Sequence, residues 1–214
     1  MRRYRNRHEA GSVLAGELQQ YINDKNTIVL ALPRGGVPVA YEIAKTLHLP
    51  LDVFIVRKIG VPGHSELAMG AIAMGGVQVF NQDIVEELKI EKDEIQAVIR
   101  KEEAELKRRE KVYRGNAAFS PLDGKTVILV DDGIATGASM RAAIQALRKL
   151  HPEKIVVAVP VADIHMCNAF QKQADEFICP LQPDGLHAVG AWYDDFAQTE
   201  DDEVHDLLNK AKRN

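Results

Sequence analysis

Unbroken apolar runs alternate with amphipathic stretches along most of the chain. Short apolar runs are typical of strands that are buried on both faces. They lie at 27–32, 51–56, 127–130, 154–162 and 176–180. Apolar residues at helical spacing predict helices over 37–47, over 140–150, near 165–173 and over 201–212. Strands separated by helices imply right-handed crossovers, so the pattern predicts an α/β fold with a central parallel sheet and helices on both faces.

Other segments depart from this alternation. An opening helix is indicated by one apolar face, which comprises Val13, Leu14, Leu18, Tyr21 and Ile22. Residues 59–66 carry two glycines and a proline and predict a loop, and residues 67–80 predict a hairpin with Gly75 and Gly76 at its turn. The highly charged segment 83–113 has a narrow apolar stripe. It predicts one long helix that covers the core or a dimer face.

The composition is that of an ordinary globular protein and limits the classes of function. The 214 residues are 46% hydrophobic and 27% charged, which suits a single domain over 1–214. The net charge of −4 gives no sign of a protein that binds nucleic acid or a membrane surface. The two cysteines exclude a disulfide framework and a four-cysteine zinc site. The basic start lacks the apolar core of a signal peptide and no run could span a bilayer, so the sequence predicts a cytoplasmic protein.

Two adjacent acids, Asp131 and Asp132, directly follow a predicted buried strand. The small residues 133–139 then lead into a helix, whose exposed N-terminal amides and dipole favour a phosphate. Thr136 and Ser139 add hydroxyl donors, whereas ionised carboxylates accept hydrogen bonds from vicinal hydroxyls. Acids for a diol beside amides for a phosphate predict a site for a ribose 5-phosphate group.

Three loops follow predicted strands and are candidates for one ligand crevice. In parallel α/β sheets, ligands bind at the carboxyl ends of the strands. The loops 33–36, 57–66 and 131–139 are therefore expected to face each other across this edge of the sheet.

Residues 127–139, VILVDDGIATGAS, closely resemble the phosphoribosyl-pyrophosphate signature of type I phosphoribosyltransferases: four apolar residues, two acids and a small loop ending in T-G-x-[ST]. The resemblance implies that phosphoribosyl pyrophosphate is bound by Asp131, Asp132, Gly133, Ala135, Thr136, Gly137, Ala138 and Ser139. It also implies that the LPRGG loop cradles pyrophosphate with backbone amides, often through a strained or cis peptide. Arg34 would supply charge there, and Gly35 and Gly36 would permit unusual dihedrals.

Arg57 and Lys58, with the loop after them, look like the family's mobile flap, which closes over the substrates and excludes water. The implied reaction transfers a ribosyl group: the C1–O bond breaks with oxocarbenium-like character, and a base nitrogen attacks C1. The resemblance gives catalytic roles, through positioning and charge stabilisation, to Arg57, Lys58, Asp131 and Asp132. The implied Mg²⁺ keeps several waters and bridges substrate phosphates, so the two aspartates would contact it indirectly, through water.

The stretch 182–196 is loosely similar to the hood that holds the base in hypoxanthine-type enzymes. His187 stands where those enzymes have a phenylalanine that stacks on the purine. Ala135 stands where they have an aspartate, and adenine and orotate enzymes are more similar at that position. The resemblance implies a purine-like base that is contacted by His187, Val189 and Trp192.

The whole chain is similar to a bacterial group of phosphoribosyltransferases whose group name carries no assigned base. The motifs PRGG, VRK-G-P, ELA-GAI, VDDGIATGAS and VG-WY-DF carry this resemblance across residues 32–196. It implies a core at about 25–180 and a hood at about 181–200 with terminal helices. The implied partners are phosphoribosyl pyrophosphate and a small nitrogenous base, and homo-oligomerisation stays open.

Two functions from different classes fit these motifs. The first is a Mg²⁺-dependent enzyme of nucleotide metabolism that makes a nucleotide and pyrophosphate. The alternative is a non-catalytic sensor of phosphoribosyl pyrophosphate or of a nucleotide, since some relatives with this fold are regulators. A basic stripe would favour a sensor that binds nucleic acid. The cations here are mixed with acids, as over 86–111, and the retained Arg34, Arg57, Lys58 and both aspartates favour catalysis.

Overall fold

A computed structural model describes residues 3–88 and 90–213. The strands are β1 (Thr27–Ala31), β2 (Leu51–Val53), β3 (Val56–Val61), β4 (His64–Ala73), β5 (Val77–Phe80), β6 (Thr126–Val130), β7 (Lys154–Ala158) and β8 (Glu176–Ile178). The helices are α1 (Arg7–Glu17), α2 (Gly36–Leu47), α3 (Gln82–Glu87), α4 (Lys92–Arg114), α5 (Ala138–Arg148), α6 (Ile164–Phe170) and α7 (Asp201–Ala211). Short 3-10 turns occupy Gln19–Tyr21, Met74–Gly76 and Val189–Trp192.

The central sheet is parallel throughout and has the strand order β2-β1-β6-β7-β8. β1 and β6 pair in register from Thr27 opposite Thr126 to Ala31 opposite Val130. Every residue of β1 is buried, which requires cover on both faces of the sheet. The predicted α/β class with a central parallel sheet is confirmed.

The strand order reverses between β1 and β6. From β1 the chain passes through α2 to β2 on one side, whereas β6 is followed by β7 and β8 on the other. The carboxyl ends of β1 and β6 therefore lie side by side at a topological switch point, where open α/β sheets form their ligand crevice.

The apolar run 51–56, predicted as one strand, is divided between two sheets, so this prediction was wrong. β2 pairs with β1 over three residues and is followed by Phe54 and Ile55, which are buried. The chain then enters β3 of an antiparallel sheet with the order β3-β4-β5. The apolar run gives no sign of this change of partner, because both sheets pack into one core.

The loop predicted over 59–66 was also mostly wrong. The register of β3 against β4 shifts at Gly60, yet pairing continues on both sides of it. Only Pro62 and Gly63 form the turn between the two strands. The glycines and the proline of this segment thus serve a bulge and a tight turn. The two cations predicted to begin a flap lie inside β3.

The hairpin predicted over 67–80 is confirmed. β4 and β5 pair antiparallel, and they are joined by the 3-10 turn that contains both glycines. Gly75 and Gly76 adopt φ angles of 78° and 73°, a region that favours glycine. Glycine at the turn is therefore explained by the backbone.

The single helix predicted over 83–113 was wrong, because the segment forms the two helices α3 and α4. A capping box begins α4: the Glu91 side chain accepts from the backbone N–H of Glu94, and the Glu94 side chain accepts from the N–H of Glu91. The buried residues of α4 belong to the predicted stripe and are Ile99, Leu106 and Tyr113.

Two further predictions of extent need correction. β7 ends at Ala158 rather than 162, because Pro160 has no N–H with which to continue the ladder. β8 ends at Ile178 rather than 180. The opening helix is present as α1, but Ile22 at the end of its predicted face is 45% exposed.

Most buried apolar residues form one core around the central sheet. A second, smaller cluster lies beside it and contains Tyr4, Ala10, Val161 and Tyr193, with partly buried neighbours that include Val189, Trp192 and Phe196. This second cluster joins the start of the chain to the segment 181–200. In the part of the chain that the structure describes, no helix has the length and apolar character needed to cross a membrane.

Candidate functional site

The loops that follow β1 and β6 touch each other at the switch point. A Cβ on Gly36 would lie 2.7 Å from the carbonyl oxygen of Val130 and 3.0 Å from Cα of Asp131. A Cβ on Gly35 would overlap the carboxylate of Asp132. Glycine at both positions therefore allows the first loop to lie directly against the two acids.

Asp131 and Asp132 interact with each other at the end of β6. Asp131 Oδ1 accepts a hydrogen bond from the backbone N–H of Asp132 at 2.9 Å. Burial, and next the charge of Asp132, raises the pKa of Asp131 well above its usual range. Burial also raises the pKa of Asp132, although the guanidinium of Arg7 opposes this effect. The pair is a set of half-buried oxygen acceptors that would be stabilised by hydroxyl donors or a cation.

Sequence reasoning missed Arg7, which contacts Asp132 directly. Its Nε donates to Asp132 Oδ2 at 2.9 Å, and its Nη1 donates to the carbonyl of Ala197 at 2.7 Å. Its guanidinium carbon lies 3.8 Å from the centre of the Phe196 ring. No local motif could have identified Arg7, because 125 residues separate it from Asp132. The sequence could only indicate that a carboxylate at a buried strand end needs a positively charged or hydrogen-bonding partner, without saying which residue supplies it.

The loop after the acids is packed closely from one side. A Cβ on Gly133 would lie 2.6 Å from Val189 Cγ1, and one on Gly137 would lie 2.7 Å from the Phe170 ring. Gly137 has a φ of 73° and is the N-cap of α5, so it brings no side chain of its own to the first turn. The other small residues are open to solvent: Ala135, Thr136 and Ser139 are exposed and Ala138 is half-buried. The loop therefore presents backbone and hydroxyl donors at a helix N-terminus.

The peptide bond between Pro33 and Arg34 is cis, a conformation that the family resemblance implies for this loop. The Arg34 side chain has its partners outside the acid pair. Its Nη1 is 3.6 Å from Glu200 Oε2 and 3.7 Å from Asp201 Oδ1, at the start of α7. In this structure the Arg34 guanidinium therefore interacts with the acidic start of α7.

The structure does not bring Arg57 and Lys58 to the acid pair. Arg57 is bound to Glu102 of α4, with Nε and Nη2 at 2.8 Å and 2.6 Å from Oε2. Lys58 is exposed and lines an open cavity of about 610 Å³ beside α5, together with Arg141. Adjacent strand residues point to opposite faces, so Arg57 pairs with α4 whereas Lys58 reaches the cavity beside α5. Lys58 also borders a second cavity of about 580 Å³, which it shares with Arg57. Within residues 3–88 and 90–213, neither cation forms an ion pair with Asp131 or Asp132.

The segment 181–200 covers one side of the signature loop. Asp163 holds its beginning, since one carboxylate oxygen accepts from the backbone N–H groups of Gly185 and Leu186, both at 3.0 Å. Of the three residues predicted to contact a base, Val189 packs on Gly133, His187 is exposed, and Trp192 is partly buried in the second cluster.

The hydroxyl of Tyr193 connects this segment to the acid pair. It donates to the backbone carbonyl of Asp132 at 2.6 Å. Burial, and secondarily the Asp132 charge, raises the pKa of Tyr193, so the hydroxyl stays protonated and remains a donor. The sequence motifs did not predict this contact of Tyr193 with the acid pair.

Comparison with known proteins shows the family to which the chain belongs. Residues 62–182 match the family model of the phosphoribosyl transferase domain. Proteins of two Mycobacterium tuberculosis strains, H37Rv and CDC 1551, are each named "Putative phosphoribosyl transferase" and are 45% identical over 213 residues. The match covers 100% of this chain and 48% of theirs, so the chain spans about half the length of these curated relatives.

Solved structures agree with this assignment at the level of the fold. The crystal structure of TT1426 from Thermus thermophilus is 37% identical and gives a TM-score of 0.86, covering 98% of this chain and 99% of that chain. The AQ2163 protein from Aquifex aeolicus is 12% identical with a TM-score of 0.52, covering 94% and 84% of the two chains. At that identity the second similarity concerns the fold alone.

Proposed function

Since the chain belongs to the phosphoribosyl transferase family, we propose that it transfers the 5-phosphoribosyl group of phosphoribosyl pyrophosphate to a nitrogenous base of purine-like size. Pyrophosphate is the second product. The observation that carries the proposal is the contact of Gly35 and Gly36 with Asp131 and Asp132 at the switch point. This contact joins a turn with available backbone amides to two carboxylates, as a ligand with phosphates and a diol requires.

Each part of phosphoribosyl pyrophosphate has a candidate partner. The ribose hydroxyls donate to Asp131 and Asp132, while the 5-phosphate accepts from the amides and hydroxyls of 135–139 at the start of α5. The pyrophosphate accepts from the backbone N–H groups of Arg34 and Gly35, while the N–H of Gly36 donates to the carbonyl of Leu32 at 3.1 Å and holds the turn. With both ends of the sugar held, C1 is fixed in position for attack by the base, so orientation and charge stabilisation lower the barrier without a protein nucleophile.

The donor set at the acid pair fits Mg²⁺, which prefers carboxylate, phosphate and water oxygens. Asp131 and Asp132 are half-buried oxygen donors, and partial burial raises the pKa of both, so their ionised forms are incompletely compensated by the protein. Among the described residues no cluster of three or more His, Cys, Asp or Glu side chains could hold a metal. The two aspartates would therefore hold the ion through water. Bound there, Mg²⁺ would supply positive charge to the departing pyrophosphate.

The proposal requires a movement of the second sheet. Arg57 is paired with Glu102 and Lys58 faces α5, so these cations act on pyrophosphate only after β3 approaches the crevice. Closure of a flap of this kind also excludes water from the reacting atoms. His187, Val189 and Trp192, on the segment over the signature loop, are the proposed contacts of the base.

The test is release of pyrophosphate from phosphoribosyl pyrophosphate, with Mg²⁺ and a panel of nitrogenous bases added one at a time. We expect release with one class of base, and loss of that release in the variant that combines Asp131→Asn with Asp132→Asn. The matched control combines Glu86→Gln with Glu87→Gln, because these two neighbouring acids are exposed on α3. It should behave as the parent protein.

Two results would contradict the proposal that the protein is an enzyme. Calorimetric binding of phosphoribosyl pyrophosphate without release by any base would establish the sensor instead. Absence of both binding and release would reject the site altogether.

A further inference from the structure

The start of the chain is fixed to the segment that covers the site. The N–H of Tyr4 donates to the carbonyl of Trp192 at 3.0 Å, and the N–H of Asp194 donates to the carbonyl of Tyr4 at 2.8 Å. The N–H of Asp195 donates to the carbonyl of Arg5 at 2.9 Å. These bonds form a short ladder beside the crevice, so the backbone of Tyr4 and Arg5 is joined to the segment that covers the site.

Arg7 extends from this ladder to the acid pair. Its side chain is 11% exposed and is held by three contacts: Asp132 Oδ2, the carbonyl of Ala197 and the face of the Phe196 ring. A guanidinium satisfies all three together, because its planar fork donates in two directions while its face stacks on an aromatic ring. The geometry is therefore specific for arginine.

The contact with Arg7 leaves one oxygen of Asp132 for a ligand. Arg7 and Gly35 both lie on the side of Oδ2. Arg7 is the side-chain donor to this carboxylate among the described residues, and it binds Oδ2. The Asp132 side chain keeps 16% of its surface exposed, so Oδ1, the oxygen away from Arg7, is available to a hydroxyl group.

We propose that Arg7 is a positioning residue of the ribose site: by binding Oδ2 it holds Asp132 so that Oδ1 accepts from a ribose hydroxyl. The inference rests on the proposed function, since it assumes that Asp132 binds the sugar. Arg7 does not touch the substrate, and it acts through Asp132. It also couples the acid to 196–197, so that the cover of the site and the sugar-binding carboxylate keep one relative position.

The test compares Arg7→Met and Arg7→Lys with the parent protein by calorimetry. The ligands are phosphoribosyl pyrophosphate, ribose 5-phosphate and 2-deoxyribose 5-phosphate. Arg5→Met is the matched control, because it removes the same charge from the same segment, where Arg5 pairs with Glu9 on the surface. Thermal unfolding of each variant reports any loss of fold.

We expect Arg7→Met to weaken phosphoribosyl pyrophosphate binding about ten- to hundredfold, the range for a lost hydrogen bond to a charged group. The preference for ribose over deoxyribose should also be lost. The effect should not add to that of Asp132→Asn, because both variants disturb one interaction. Arg7→Lys should keep part of the preference, and Arg5→Met all of it.

The results that overturn this inference differ from those that reject the proposed function. If the parent protein binds none of the three ligands, the proposed function fails. If the parent prefers ribose and Arg7→Met retains that affinity and preference, Arg7 is an ordinary structural residue. Should Arg7→Met fail to fold, Arg7→Lys decides the question: full ribose preference with lysine overturns the positioning role, and reduced preference in a folded protein supports it.

Discussion

Gly35 and Asp132 approach each other so closely that the Asp132 carboxylate occupies the position that a Cβ of residue 35 would take. Gly35 has φ −59° and ψ −31°, which any residue can adopt. The requirement for glycine is therefore the contact with the acid and not the backbone conformation. Through this contact the Asp132 side chain of the signature loop lies directly against the backbone of the β1 loop.

We expect Gly35→Ala to displace Asp132 and to abolish binding of phosphoribosyl pyrophosphate. The added methyl group must move the carboxylate away from Arg7 or shift the loop, at a cost of about 1–3 kcal/mol in unfolding free energy. Chemical denaturation measures the stability, and calorimetry measures the binding. Retention of full affinity by a folded variant would contradict the proposed contact between Asp132 and the sugar.

Gly16→Ala is the matched control for this substitution. Gly16 lies inside α1, and a Cβ there would meet no atom within 4 Å. Alanine should therefore raise the unfolding free energy by about 0.5–1 kcal/mol, the ordinary gain in a helix, and leave binding unchanged.

Replacement of Asp131 by asparagine should stabilise the protein that it inactivates. Because burial and Asp132 raise the pKa of Asp131, the folded state binds more protons than the unfolded state between the usual value of 3.8 and the raised one. Ionisation of Asp131 thus lowers stability as the pH rises through this window. Asparagine cannot ionise, and its Oδ1 can still accept the hydrogen bond from the N–H of Asp132.

The gain for Asp131→Asn should be on the order of 1–3 kcal/mol at pH 7 and should shrink toward zero as the pH falls to about 4. Unfolding measured across this pH range, in the absence of ligand and Mg²⁺, checks the dependence. A variant that is less stable than the parent at pH 7 would show that the native environment compensates the charge of Asp131.

The local part of the site could be read from the sequence, because strand, acids, small loop and helix follow one another in 127–139. The sequence also predicted that the loops after β1 and β6 lie close together, since parallel strands bring their carboxyl ends to one edge of the sheet. The position of Arg57 could not be predicted. The apolar run before it is continuous, and only the tertiary pairing of Val56 with Ala73 reveals the change of sheet.

The role of Arg7 could not be predicted from the sequence either. Its partner Asp132 is distant in the chain, and residues 1–8 are rich in arginine, so that no spacing distinguishes Arg7 from Arg5. A long-range pair of this kind is decided by the path of the chain through the second cluster, which depends on packing between Tyr4 and Tyr193.

The two cations of β3 should respond differently to substitution. Lys58→Met should leave stability within about 0.5 kcal/mol, because Lys58 is exposed, and lower kcat at least about tenfold if the second sheet closes over pyrophosphate. Lys172→Met, at an exposed position after α6, is the control. An unchanged kcat for Lys58→Met would remove this lysine from the mechanism.

Arg57→Met should instead lower the unfolding free energy by about 1 kcal/mol, because it leaves the largely covered carboxylate of Glu102 without its partner. The variant Glu102→Gln should release Arg57 from α4 and raise the fraction of closed protein. Its measured consequence is a lower KM for phosphoribosyl pyrophosphate at similar stability. A higher KM would mean that the pair supports the binding-competent state.

Two buried tyrosines allow a test of how the cover of the site supports the acid pair. Tyr193 donates to the Asp132 carbonyl at 2.6 Å, whereas Tyr21 donates to Glu176 Oε2 at 2.6 Å, where β8 begins. The second contact lies at the amino edge of the sheet, opposite the crevice. Phenylalanine at either position removes one hydroxyl and should lower the unfolding free energy by about 1 kcal/mol.

Only Tyr193→Phe should also weaken phosphoribosyl pyrophosphate binding, by severalfold, because it frees the backbone that carries the Asp132 side chain. Calorimetry on both variants at matched stability separates the two effects. Equal loss of affinity in Tyr21→Phe and Tyr193→Phe would mean that binding follows global stability. Loss confined to Tyr193→Phe would mean that the segment 181–200 acts on the sugar site through this hydrogen bond.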